Sequence, residues 1–125
     1  MARVLVIDDE ENQLKALSIG LRAHGFEVVT AATAEDAMRA LAARRIDLAL
    51  IDLMMPGLNG LELARHIRRV HPSVRVVLSS AYHLSARQVE RADCGAVGFV
   101  PKPYCLDELC TFLHAKARPL SAPSC

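Results

Sequence analysis

The chain has 125 residues, 52% of them hydrophobic, which is enough for one domain with a real core and too apolar for a disordered segment. Its formal net charge of +1 gives no electrostatic reason for nucleic acid or an anionic membrane as partner. No apolar run approaches the roughly 20 residues of a membrane span, and Met1-Ala2-Arg3 leads straight into a strand rather than a signal peptide, so a cytoplasmic protein is expected.

Taken in order, the first element is the apolar run Arg3 to Asp8, a strand ending in carboxylates. Glu10 to His24 repeats leucine at 14, 17 and 21 on one helical face, with Gly25 where a C-cap belongs. Phe26 to Thr30 is a short valine-rich strand. Thr33-x-x-Asp36 approximates a capping box and opens a helix to about Arg44. Ile46 to Asp52 is a third strand, and its run Leu48-Ala49-Leu50-Ile51 lacks alternation, as in a strand buried on both faces. After Met54-Met55 and the Pro56-Gly57 turn, Asn59 can cap a helix to Val70, with Leu63, Ile67 and Val70 inward. Val74 to Ser79 is the fourth strand, and Ser85-x-x-Gln88 opens a weaker helix to about Asp93. Ala96 to Val100 is the fifth strand. Leu106 to about Ala117 is the last helix, with Leu106, Leu109, Cys110 and Leu113 inward. The domain is expected over residues 1–118, with the Pro/Ser-rich 119–125 as a flexible tail or the start of a linker.

Strands alternating with helices five times predict a parallel sheet covered on both faces, an α/β doubly wound fold. Five strands fit the flavodoxin-like order 2-1-3-4-5, in which ligands bind outside the carboxyl ends of the strands. The polar residues collect there. Asp8 and Asp9 follow strand one, Asp52 ends strand three, Ser79 and Ser80 end strand four, and Lys102 follows strand five. Three carboxylates together repel one another and call for a cation, and hard oxygen ligands favour Mg2+ over zinc. A metal, a lysine and a hydroxyl around one carboxylate are the parts that stabilise a transferring phosphoryl group. The cysteines at 94, 105, 110 and 125 show no Cys-x-x-Cys spacing and read as reduced thiols.

These motifs resemble those of a bacterial response-regulator receiver domain of the CheY-like type. They are Asp8-Asp9, Asp52 before Met54-Met55-Pro56-Gly57, Ser80-Ala81, and Lys102-Pro103, with Phe99 three residues ahead of Lys102. The resemblance implies a phosphoacceptor switch in two-component or phosphorelay signalling, not a metabolic enzyme. Carried over by position, Asp52 is the phosphoacceptor. Asp9, Asp52 and the Met54 carbonyl would hold Mg2+, with Asp8 helping through water. Lys102, Ser80 and the backbone near Met54 and Ala81 would bind the phosphoryl oxygens. Ser80 and Phe99 would be the switch pair. The implied partners are a histidine kinase or histidine phosphotransfer protein upstream. Downstream, a protein or output domain would read the face formed by the fourth helix, fifth strand and last helix. A homodimer is compatible with this reading.

Two rivals share parts of the pattern. A flavodoxin-like cofactor binder needs glycines and hydroxyls after strand one, where this chain has Asp8-Asp9-Glu10-Glu11-Asn12. A small aspartyl phosphohydrolase of the haloacid dehalogenase type places a second acid two residues after its nucleophile, where this chain has Met54. The Arg65, Arg68, Arg69 cluster has no interleaved aromatic and reads as a solvated helix face rather than a nucleic-acid surface.

Overall fold

The strands carry their apolar residues on alternate faces, and this alternation builds two cores. In a computed structural model of the chain, which describes residues 2–53, 60–80, 96–102 and 104–117, five parallel strands form one sheet in the order β2-β1-β3-β4-β5. They are β1 (Arg3–Ile7), β2 (Glu27–Ala31), β3 (Leu48–Asp52), β4 (Arg75–Ser80) and β5 (Ala96–Pro101). The helices among the described residues are α1 (Glu11–Ala23), α2 (Ala34–Ala43), α3 (Gly60–Val70) and α4 (Leu106–Ala117). The expected helix from Ser85 to Asp93 lies outside the described residues, as do Asn59 and the 119–125 segment.

On one face Val4, Val6, Leu48, Leu50 and Val77 pack against Leu14, Leu17 and Leu21 of α1 and Leu109, Cys110 and Leu113 of α4. On the other, Leu5, Ile7, Ala49, Ile51 and Leu78 meet Ala37 and Leu41 of α2 and Leu63, Ala64 and Ile67 of α3. All five residues of β3 are buried, which is why its sequence shows no polar alternation. Each large aliphatic side chain buried this way contributes roughly 1.5–3 kcal/mol.

Helix boundaries follow their capping chemistry. At the end of α1, Gly25 takes φ +90°, a conformation a side chain would strain. There the Phe26 N–H bonds the Leu21 carbonyl and the Gly25 N–H the Arg22 carbonyl, both at 3.1 Å, the paired bonds of a Schellman motif. The same Phe26 stacks on His114, with ring centres 4.1 Å apart, tying the residue just ahead of β2 to α4. The Thr33 hydroxyl caps α2 by accepting from the Asp36 N–H at 3.1 Å. Asp36 itself turns outward to Arg39 rather than back to the cap. Val70 departs from expectation: it is 50% exposed, because the inward stripe of α3 runs through Gly60, Leu63, Ala64 and Ile67 and leaves the last residue at the edge.

Candidate functional site

The strand order sets what can meet. With β3 central and β1 and β4 beside it, the carboxyl ends of β1, β3, β4 and β5 open on one edge. Register pairs Asp52 with Ser79 and Ser80 with Pro101, so these strand ends stop level with one another. A backbone bond from the Lys102 N–H to the Ser80 carbonyl, 2.9 Å long, carries the chain beyond β5 toward the same edge.

The Lys102 ammonium bridges two carboxylates there. Its Nζ donates to Asp8 Oδ2 at 2.8 Å and to Asp52 Oδ2 at 3.1 Å. Asp8 is 2% exposed and Asp52 6%, so both charges are held almost out of water. Burial pushes the lysine pKa down, but the hydrogen bonds it donates to Asp8 and Asp52 outweigh it and hold the ammonium above its ordinary value of 10.5. The other Asp8 oxygen accepts from the Glu10 N–H at 3.0 Å, which fixes the carboxylate at the entrance to α1.

Asp9 is exposed at the mouth of this pocket. One carboxylate oxygen from each of Asp8, Asp9 and Asp52 lies within 4.8 Å of the others. At that separation two carboxylates repel by roughly 1 kcal/mol in water and about 3–4 kcal/mol at an effective dielectric of 20. One ammonium cannot neutralise three such groups. An all-oxygen donor set with an open, hydrated mouth suits a hard divalent cation of the Mg2+ kind.

The described residues give a place to most of those expected at the site. Asp8, Asp9, Asp52 and Lys102 come together, and Ser80 ends β4 beside them, 2% exposed. Phe99 is half-buried against the α2 and α3 face, paired in register with Leu78, while Val100 turns to the α1 and α4 face. Met54 and Ala81 lie outside the described residues. Asp8 is also the closer carboxylate partner of Lys102.

The sequence reading passed over Tyr104. Its phenol donates to Ser79 Oγ at 2.6 Å, and Lys102 Nζ sits 6.0 Å from its ring centre. Burial pushes the phenol above its usual pKa, against the opposing effect of the Ser79 bond, so it stays a proton donor at neutral pH. The available signal was a pair of serines ending a buried strand, since buried hydroxyls need partners.

The chain matches the family model described as "Response regulator receiver domain" over residues 4–114. It is 37% identical over 118 residues to the transcriptional regulatory protein KdpE of Mycobacterium tuberculosis, covering 94% of this chain and 52% of that protein. Response regulator MprA of Mycolicibacterium vanbaalenii is 32% identical over 116 residues, with 93% and 50% covered. The chain therefore spans about half the length of these curated relatives. Among solved structures it is similar to a CheY-like receiver domain protein from Methanospirillum hungatei, with a TM-score of 0.85, 26% identity and 94% of each chain covered. It is also similar to response regulator protein TrrA from Thermotoga maritima, solved in complex with Mg(2+)-BeF. The TM-score there is 0.81 and the identity 33%, with 93% of this chain and 99% of that one covered.

Proposed function

This chain belongs to the response regulator receiver domain family, and from that premise we propose that Asp52 is the residue that accepts the phosphoryl group. The observation that carries the proposal is the Asp52 carboxylate itself, buried at the end of the central strand between an acid cluster and the Lys102 ammonium. The domain is residues 1–118, and its role is a signalling switch whose chemistry is confined to its own aspartate.

The donor is a phosphohistidine on a histidine kinase or histidine phosphotransfer protein. An Asp52 oxygen forms a bond to phosphorus as the phosphorus–nitrogen bond breaks, and the electron pair leaves with the imidazole, which takes up a proton. Hydrolysis reverses the acceptor's part: a water oxygen bonds phosphorus, and Asp52 regains its carboxylate electron pair. On phosphorylation Lys102 shifts from Asp52 Oδ2 to a phosphoryl oxygen, a charge-assisted bond of the stronger kind, and on hydrolysis it returns to the freed carboxylate. Asp8, held by Lys102 and the Glu10 N–H, keeps the ammonium in the pocket during that shift. Ser80 donates its hydroxyl to the phosphoryl group, assisted by the backbone near Met54 and Ala81.

Mg2+ would be held by Asp9, Asp52 and the Met54 carbonyl, with Asp8 behind them, and it supplies positive charge against the phosphoryl oxygens. The clustered carboxylates of Asp8, Asp9 and Asp52 fit that role.

Readout runs through Ser80 and Phe99. An inward shift of Ser80 toward the phosphoryl group opens space beside Phe99, whose ring has no hydroxyl to hold an outward rotamer. A ligand moves such an equilibrium only by its differential affinity, so the coupling is on the order of 1–3 kcal/mol. The face that includes β5 and α4 meets the downstream protein or output domain, or a second copy of the chain. Among the described residues no helix is long and apolar enough to cross a membrane, and a cytoplasmic setting goes with the reading.

The test is transfer from an isotopically labelled phosphohistidine donor to wild type and to Asp52→Asn. Label should pass to the wild type only; equal labelling of Asp52→Asn would overturn the assignment.

A further inference from the structure

Ser79 is fully buried at 0% exposure, one residue before the expected switch serine. It is the cross-strand partner of Asp52. Strand alternation places both side chains on the α1 and α4 face, with Leu50 and Val77 beneath them. Tyr104 packs on that same apolar cluster and donates its hydroxyl to Ser79 Oγ at 2.6 Å. Two residues earlier, the Lys102 N–H bonds the Ser80 carbonyl at 2.9 Å. The segment that carries the ammonium is thus gripped on both sides of its path, by successive residues of the strand next to Asp52.

We infer that Tyr104 is a positioning residue: its hydroxyl bond to Ser79 anchors the chain just beyond Lys102 so that the ammonium stays within reach of Asp52 and of the phosphoryl oxygens it comes to carry, and so sets how fast phosphoryl enters and leaves. The inference rests on the reading of Asp52 as acceptor. The physical reason is the lysine itself. Its ammonium rides a flexible four-carbon stem, so its placement depends on the backbone beneath it. Loosening that backbone adds conformations in which the charge is off target. In hydrolysis a water oxygen bonds phosphorus, the Asp52 oxygen–phosphorus bond breaks with its electron pair returning to the carboxylate, and the water proton passes to solvent. Lys102 is unchanged across the step but stabilises the charge on the phosphoryl oxygens in both directions. Loss of one typical hydrogen bond that acts through placement slows both steps by about 3–10-fold.

The experiment uses acetyl phosphate and Mg2+ on the full chain, with intact mass reporting adduct growth and, after donor removal, adduct half-life. Tyr104→Phe keeps the ring, and Ser79→Ala breaks the same bond from its other end. Ile46→Val, in the core at the far end of the sheet, lowers stability without touching the site. The expected result is a half-life lengthened about 3–10-fold in either single variant, no further in the double variant, and unchanged in Ile46→Val. Unchanged half-lives in both single variants would overturn the role of Tyr104 while leaving the acceptor intact. A double variant that multiplies the two effects would show the residues acting separately, and a lengthened half-life in Ile46→Val would show general loosening; either overturns the inference. Absence of adduct on Asp52 in the wild type would instead overturn the acceptor reading on which it rests.

Discussion

Replacing Lys102 with methionine removes the ammonium and keeps a side chain of similar bulk. The Asp8 and Asp52 carboxylates, 2% and 6% exposed, then lose the cation that bridges them. Removing one partner of a buried pair costs about 3–5 kcal/mol. The Lys102 side chain is 18% exposed, so screening reduces the expected loss to about 2–3 kcal/mol. For a chain of 125 residues, an unfolding entropy near 2.1 cal/mol/K per residue turns this into a Tm drop of roughly 8–11 °C in metal-free buffer. The pH dependence has a definite sign. The folded pKa of Lys102 is raised above 10.5, so its contribution is fully present below that value and is lost as pH rises through the folded value. Tyr104 is raised in the same direction, but it is present in both proteins and largely cancels in the difference. Urea unfolding of wild type and Lys102→Met in a chelating buffer should therefore show a constant gap at neutral pH that closes in strong alkali. Added Mg2+ should narrow the gap as the ion takes over neutralisation. Equal stability at neutral pH, or a gap that persists unchanged in alkali, would refute the pairing.

Mg2+ should raise the Tm of the wild type, and Asp9→Asn should lose most of that increment; equal increments would remove Asp9 from the ligand set. Ser80→Ala should still form the beryllofluoride adduct at Asp52 while losing most of the amide NMR shifts around Phe99 and α4. Shifts matching the wild type would return Phe99 to a purely packing role. A Cβ added at Gly98 would collide with the Phe112 ring of α4, so Gly98→Ala should cost about 1–3 kcal/mol in denaturant unfolding, and an unchanged midpoint would contradict that close approach.

Most of the scaffold could be read from residue order because the physics is local or periodic. The uninterrupted Leu48 to Ile51 run meant burial on both faces, and β3 is buried throughout. Gly25 and Thr33 announced helix ends through conformational freedom and a side-chain cap, and both act that way. The acid pocket was legible because strand order alone brings four strand ends to one edge. Val70 was misplaced because periodicity does not say where a helix leaves the sheet. The contact of Lys102 with Asp8, and the reach of Tyr104 to Ser79, depend on side-chain geometry across strands distant in sequence. Residue spacing carries no such information.

The central claim is that one buried carboxylate is the acceptor. Its most direct test is to expose the wild type to acetyl phosphate and Mg2+, digest it under conditions that keep acyl phosphates intact, and locate the modified peptide. The account predicts a single adduct, labile to hydroxylamine and alkali, on Asp52, and none when the divalent cation is chelated. An adduct on another residue, or one that persists in Asp52→Asn, would contradict it.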